Sequence, residues 1–235
     1  MLTAITRCVH AVSLASSSRC VRAKEDHHRG RGRGGEGSLL PGAPAVTNDP
    51  KPLVPTPDLF THPSHLHGQR HVARVMIHAF RLIEATGWTH LATRLWGAVY
   101  LHDLARTHDG VCHRHGADAV ERWRTSAALA QTLATRGLHY AAEAGVQRAV
   151  TLHCKPNHFE PDRADPDWPL IALLKDADGL DRVRLGDLDP SYLRLPESLT
   201  MVAFAQRLFD DTHWSIPEGP ELFDALLDWV AAHSD

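Results

Sequence analysis

The sequence predicts an all-α protein, an irregular bundle of six or seven helices. From about residue 65 onward, apolar residues recur at steps of three and four, which is the period of a helix. No segment shows the apolar–polar alternation that is typical of a strand. The helical segments also show no internal repeat, which favours an irregular bundle over a regular one.

Residues 1–57 have the composition of a tail and linker. The first 24 residues carry four basic side chains, no acid and a serine run, which is typical of an organelle transit peptide and equally of a disordered tail. From residue 29 the tail is rich in Gly, Arg and Pro and is not expected to bury a core. We therefore expect a single domain at 58–235, with its core at 64–185 and two capping helices within 198–233.

The first predicted helix has Ser64 as its N-cap and Gly87 as its stop, with apolar residues at helical spacing between them. Further helices are predicted at 89–103, 115–135, 140–154, 169–183, 198–211 and 219–233. Between the fourth and fifth helices lies "KPNHFEPDRADPDWP", whose four prolines predict a surface loop that could cover a site.

Bulk properties exclude several classes of protein. The 25 basic and 28 acidic residues give a net charge of -3, which provides no cationic field for nucleic acid or an anionic membrane. No apolar run is long enough to span a membrane. The four cysteines form no CxxC pair, which favours a reducing compartment. We expect a soluble, cytoplasmic protein, unless the N-terminal tail directs it to an organelle.

Histidine and aspartate residues are the candidates for chemistry. His67 and His71 are four residues apart and share a helix face, but Gly68 stands where a zinc protease of the HExxH type has its glutamate. His102 and Asp103 end the apolar run "LWGAVYL", and a buried imidazole and carboxylate can share a divalent cation as partner. A second pair, at 108–109, precedes a glycine and is interpreted as a turn.

A third group of candidates lies in "WPLIALLKDADGLDRVRL". Leu174 and Asp178 are four residues apart, so Asp178 is expected to face the interior, where an acid needs a metal or an arginine. Asp181 is expected on a solvated acidic face.

These elements occur in an order that resembles the HD-domain superfamily of metal-dependent phosphohydrolases. The segments "HGQRHVARV", "LHDLAR", "HGADAV", "TLHCK" and "KDADGLDRVRLG" resemble small bacterial HD proteins over about residues 64–185. The resemblance implies a helical core in which His71, His102, Asp103 and Asp178 bind a divalent metal. It also implies that His115 and His153 bind a second metal or contact a substrate phosphate. The GYP element of cyclic dinucleotide phosphodiesterases is absent from the sequence.

The implied ligand set has chemical consequences. Two imidazoles and two carboxylates suit Mn, Fe, Co, Ni, Zn or Mg, and a metal held this way can activate water for attack on phosphorus. The expected catalytic residues are His115, His153 and Arg106. Further contacts with substrate phosphate or with the ligands are expected from His67, Asp176, Lys175 and Arg182.

The sequence is compatible with three functions. The first is a metal-dependent phosphohydrolase that cleaves a phosphomonoester or phosphodiester of a small substrate such as a nucleotide. The second is a metal-binding regulatory or scaffold module without turnover. The third is a di-iron oxygenase, which would need a second metal. The last two helices either cap the core or form a face for a homodimer.

Overall fold

The computed structural model describes residues 53–233, and this part of the chain contains helices and no strand. The all-α prediction is therefore confirmed. The predicted tail lies outside the described residues as far as residue 52. Leu53 and Val54 are already buried in the core, so the packed domain begins a few residues before the predicted boundary at 58.

The described residues form nine α-helices, more than the six or seven predicted. They are α1 (Gln69–Thr86), α2 (Ala92–Leu101), α3 (His115–Thr125), α4 (Ala127–Thr135), α5 (Ala144–His153), α6 (Trp168–Leu180), α7 (Pro196–Thr200), α8 (Val202–Thr212) and α9 (Leu222–Ala232). The segment predicted at 115–135 is divided because Ser126 is extended, and its side chain accepts a hydrogen bond from Leu129 N as the cap of α4. The segment at 198–211 is likewise divided between α7 and α8.

Helix α1 lies at the centre of the domain and begins later than predicted. Ser64 is not its N-cap, because the Ser64 hydroxyl accepts hydrogen bonds from the N–H groups of Leu66 and His67 in a preceding turn. The helix ends at Gly87, which has a φ of 70°, as the predicted glycine stop requires. Thirteen of its residues are buried, including Arg74 and His78.

The helices around α1 determine where the polar residues meet. Helices α2, α6 and α9 pack against α1, while α5 packs against α2, α3 and α6. One interior cluster thus receives its side chains from five places. These are the first turn of α1, the C-terminal ends of α2 and α5, the first residue of α3 and the last turn of α6. Within residues 53–233, no helix has both the length and the apolar character needed to cross a membrane.

Helices α3 and α5 approach closely at Gly116. A Cβ atom on Gly116 would lie 2.1 Å from Val150 O and 3.0 Å from His153 Nδ1. Since real Cβ atoms do not approach a backbone oxygen so closely, only glycine permits this crossing. The crossing brings His115, the neighbour of Gly116, against His153.

Substitution Gly116→Ala is expected to destabilise the protein by about 1–3 kcal/mol, because the two helices must move apart. Gly97→Ala is the matched control, since the Cβ would meet its nearest atom, Ala141 N, at 3.6 Å. In the interior of α2 that change should stabilise by up to about 1 kcal/mol. Urea denaturation of both variants measures the difference, and equal effects would contradict the close crossing.

His78 is a buried histidine that lies outside the cluster. It is fully buried, and neither ring nitrogen has a hydrogen-bond partner among the described residues. Its ring packs edge-on against Phe204, with 6.1 Å between centroids. Burial lowers the pKa of His78 to about 4, so the folded protein holds this residue neutral.

Stability is therefore expected to fall as the pH falls. The unfolded chain protonates His78 near its ordinary pKa of 6.5, whereas the folded chain does not until about pH 4, so the unfolded state takes up the proton first. Between pH 7 and pH 5 this costs about 2 kcal/mol. Urea denaturation of wild type and His78→Leu across this range should show a flatter pH dependence in the variant. Parallel pH dependences would contradict the assignment.

Candidate metal centre

The structure brings His71, His102, Asp103 and Asp178 together in one interior cluster. His71 Nε2 lies 3.1 Å from His102 Nε2 and 3.3 Å from both Asp103 Oδ2 and Asp178 Oδ1. The two histidines are fully buried and Asp103 is nearly so, whereas the side chain of Asp178 is 28% exposed. The cluster is therefore reached from the side of Asp178.

Hydrogen bonds fix the tautomers of the two histidines. His71 Nδ1 lies 2.7 Å from Asp181 Oδ2, and His102 Nδ1 lies 2.7 Å from Val99 O. Both oxygens can only accept, so each ring carries its proton on Nδ1 and has a lone pair on Nε2. Two lone pairs thus face each other at 3.1 Å, with two carboxylate oxygens beside them. Such a group of electron-pair donors needs a cation among them, either a metal ion or a proton on one of the rings.

Asp181 is a central residue that the sequence analysis assigned wrongly. It was expected on a solvated face, but it is fully buried in the 3₁₀ turn Asp181–Leu185 that follows α6. Arg74 donates to it from Nε at 2.6 Å and from Nη2 at 3.1 Å. Burial alone would raise the pKa of Asp181, but Arg74 and His71 outweigh burial and hold it well below its usual range. Asp181 is a buried anion that orients His71.

The donor spacing fits a metal ion. Two ligands in adjacent positions, each about 2.1 Å from one ion, lie about 3 Å apart, close to the 3.1 and 3.3 Å observed around His71 Nε2. The groups His71–His102–Asp178 and His67–His71–Asp103 each place their ligand atoms within 4.8 Å of one another. Both groups could hold a metal ion. Nitrogen and oxygen donors of this kind suit divalent transition metals, and they differ from the thiolate donors of a structural metal site.

Without a metal, a proton can occupy the same place. Burial lowers the pKa of His71, and Arg184 lowers it further, but hydrogen bonds to three carboxylates outweigh both and raise it to about 9. His102 differs, because burial lowers its pKa to about 3. Metal binding at neutral pH therefore displaces a proton from His71.

His115 and His153 lie on the other side of Asp103. His115 Nε2 is 3.0 Å from Asp103 Oδ1 and 2.9 Å from His153 Nε2. His153 Nδ1 donates to Val150 O at 2.6 Å, which leaves its Nε2 as an acceptor. Both histidines are thus next to the cluster. His115, His153 and Cys154 form a third group whose ligand atoms could hold a metal.

Arg106 and His67 complete the surroundings of Asp103. The Arg106 guanidinium contacts both His115 and His67, and it is buried rather than open to a ligand. His67 Nδ1 lies 3.2 Å from Asp103 Oδ2. Arg184, which the sequence analysis did not single out, contacts His67 and Asp181.

The remaining expected contact residues lie further out. Asp176 is fully buried and accepts hydrogen bonds from Arg194, Leu195 N and the Ser198 hydroxyl, so it anchors the segment before α7. Arg182 forms an exposed ion pair with Asp187. Neither side chain has a contact with the cluster.

Lys175 is buried one turn before Asp178. It donates to Lys155 O and to Glu160 Oε1, both at 2.8 Å. Burial lowers the pKa of Lys175, and Glu160 balances its charge. Lys175 therefore forms part of the wall next to Asp178.

The second histidine–aspartate pair is an exposed turn, as predicted. His108 Nδ1 accepts from Gly110 N at 3.1 Å, and Asp109 pairs with Ser64 and His62. The first pair, at 102–103, is the one in the cluster.

Comparisons with known proteins add no relative. No protein-family model, no curated protein and no solved structure matches the chain. Function is therefore inferred from the geometry of this cluster.

Proposed function

We propose that this protein is a metal-dependent phosphohydrolase that cleaves an ester bond of a small phosphorylated substrate such as a nucleotide. The observation that carries the proposal is the convergence of the lone pairs of His71 and His102 with the carboxylates of Asp103 and Asp178. These four residues would hold one divalent ion. Such an ion supplies Lewis acidity, which acidifies water and polarises a phosphoryl oxygen.

The charges around the cluster favour a phosphate group as substrate. The cluster and its immediate surroundings hold three carboxylates, Asp103, Asp178 and Asp181, and three guanidiniums. The guanidiniums belong to Arg74, Arg106 and Arg184. The two sets balance, so a divalent ion would leave the site with a charge of about +2, which complements a phosphomonoester carrying about −1.5 to −2 at neutral pH.

The protein residues have separate tasks in this proposal. Asp181 and the Val99 carbonyl hold the rings of His71 and His102 with their lone pairs inward. His115 presents an N–H beside Asp103, where it can donate to a phosphoryl or leaving-group oxygen. Asp178 is the most exposed member of the cluster, so the substrate approaches on its side.

A hydrolysis screen tests the proposal. The protein is stripped with chelator, reloaded separately with Mn, Fe, Co, Ni, Zn and Mg, and assayed for phosphate release from nucleotides and sugar phosphates. We expect release from monoesters with at least one metal and none after stripping. Diesters are assayed by chromatography for the monoester product, because their hydrolysis releases no free phosphate. Full metal binding without hydrolysis of any monoester or diester would instead favour the regulatory module.

A further inference from the structure

Arg106 forms a bridge between two histidines that both contact Asp103. It lies in the turn after α2 and is only 8% exposed. Its Nη1 is 3.0 Å from His115 Nδ1 and 3.4 Å from His115 Nε2, and its Nη2 is 3.0 Å from His67 Nε2. Nη2 also donates to Gly110 O at 3.2 Å. Since a guanidinium can only donate, the nitrogen at each of its two 3.0 Å contacts, His115 Nδ1 and His67 Nε2, must be an acceptor.

His67 can satisfy its neighbours in one tautomer. Its Nε2 faces Arg106, and its Nδ1 lies 3.2 Å from Asp103 Oδ2. A lone pair on Nε2 and a proton on Nδ1 satisfy both contacts. Arg184 Nη2 is also 3.2 Å from Nδ1, but moving the proton to Nε2 to suit it would lose both other hydrogen bonds.

His115 is constrained in the same way. Its shorter contact with Arg106 is at Nδ1, while its Nε2 faces Asp103 Oδ1 at 3.0 Å and His153 Nε2 at 2.9 Å. Both of these atoms are acceptors, since His153 carries its proton on Nδ1. All three contacts require a proton on Nε2 of His115 and a lone pair on Nδ1.

We propose that Arg106 is a positioning residue that holds His67 and His115 in the tautomers that donate to the two oxygens of Asp103. In this arrangement His115 is an N–H donor and not a metal ligand, because Arg106 donates to its Nδ1 and the proton cannot move there from Nε2. The centre is therefore mononuclear. The last two statements rest on the metal site proposed above, whereas the tautomers do not.

Loss of Arg106 should release a latent second site. Asp103 and His153 still accept from Nε2 of His115 without the guanidinium, but Nδ1 is then free to take the proton when a metal ion binds at Nε2. The ligand atoms of His115, His153 and Cys154 lie within 4.8 Å of one another. One thiolate and two imidazoles form a donor set that suits cobalt or zinc.

Nitrogen NMR of the histidine rings in the metal-free full chain tests the tautomers directly. Two-bond ¹H–¹⁵N spectra, assigned with His67→Gln and His115→Gln, should show the proton on Nδ1 of His67 and on Nε2 of His115. In Arg106→Met the ring of His67 should become a tautomer mixture, because Asp103 and Arg184 then compete at its Nδ1, whereas His115 should keep its proton on Nε2 until cobalt binds. Arg182→Met, which removes an exposed arginine of the same type, should leave both unchanged.

Cobalt titration provides an independent readout. Wild type should bind one Co²⁺ per chain without a thiolate charge-transfer band. Arg106→Met should bind a second equivalent with such a band, and adding Cys154→Ser should remove the band. A proton on Nδ1 of His115 in wild type would overturn the proposal, even if Arg106→Met fails to fold. Identical tautomers together with an identical cobalt stoichiometry in wild type and Arg106→Met would also overturn the proposal. If wild type binds no cobalt, the metal site fails, and the ring spectra still decide the role of Arg106.

Discussion

Replacing Asp181 by asparagine is expected to destabilise the protein by about 3–5 kcal/mol, the usual cost of breaking a buried ion pair. Asp181 is fully buried and accepts from Arg74, at 2.6 and 3.1 Å, and from His71 at 2.7 Å. An asparagine of the same shape removes the negative charge and leaves Arg74, itself only 2% exposed, without compensation.

The matched control for this change is Asp187→Asn. Asp187 also pairs with an arginine, but about half of each side chain in that pair is exposed. Solvent screens such a pair, so its loss should cost less than about 1 kcal/mol. Chemical denaturation of both variants measures the contrast. If both variants lose the same free energy of unfolding, Asp181 is not a buried anion that stabilises the packing of α1 against the end of α6.

Asp181→Asn should also weaken metal binding by about 10–100-fold, because the ring of His71 loses the carboxylate that orients it and increases its basicity. Competition with a chelator under conditions where the variant is folded measures this affinity. An unchanged affinity would mean that His71 is not a ligand or does not need Asp181.

Substitution Asp178→Asn is expected to lower phosphate release by more than about 100-fold while the fold is retained, since losing a ligand should exceed the loss of a supporting residue. The side chain of Asp178 is 28% exposed, so water can solvate the amide that replaces the carboxylate. The hydrogen bond and charge of His71, against the effect of burial, hold the pKa of Asp178 well below its usual range. Wild type therefore presents a full negative charge there at neutral pH.

A suitable comparison for Asp178→Asn is Asp210→Asn, an exposed aspartate on α8 that contacts Gln206. Both variants are assayed with the preferred metal at saturating substrate, and their circular dichroism is compared. Retained activity in Asp178→Asn would remove this residue from the proposed ligand set. Lost activity in Asp210→Asn would mean that the assay reports the state of the fold.

Residues of the cluster could be predicted from the sequence where the evidence lay within one helical segment. His102 and Asp103 follow an apolar run that had to be buried, and Asp178 shares a face with Leu174 four residues earlier. In each case, a polar residue lies in or directly after a helix whose apolar pattern predicts burial. The all-α fold was predictable for the same reason, since helical periodicity is visible within each segment.

Residues that depend on distant partners could not be predicted in this way. Asp181 faces inward because Arg74 lies across from it, 107 positions earlier in the chain. The signal that could have found it was Arg74 itself, which lies among the apolar residues of α1 and therefore needs a buried acid. Asp176 is similar, because its partner Arg194 lies in a segment without periodic pattern.

The helix count differed because caps override periodicity. The apolar spacing continues across residues 115–135, but the extended conformation of Ser126 ends α3 and its hydroxyl caps α4. In the same way, Ser64 has the type of an N-cap residue, yet its hydroxyl closes a turn before α1. Cap residues that suit two neighbouring positions cannot be placed from the sequence alone.

The most direct test of the central claim is the metal content of the reconstituted protein, measured by plasma mass spectrometry beside His102→Ala and Asp103→Ala. The lone pairs of His71 and His102, with Asp103 and Asp178 beside them, predict about one divalent ion per chain in wild type and a loss in both variants. If wild type binds none of Mn, Fe, Co, Ni, Zn and Mg, the claim is contradicted. The proton on His71 would then be the cation that the cluster holds.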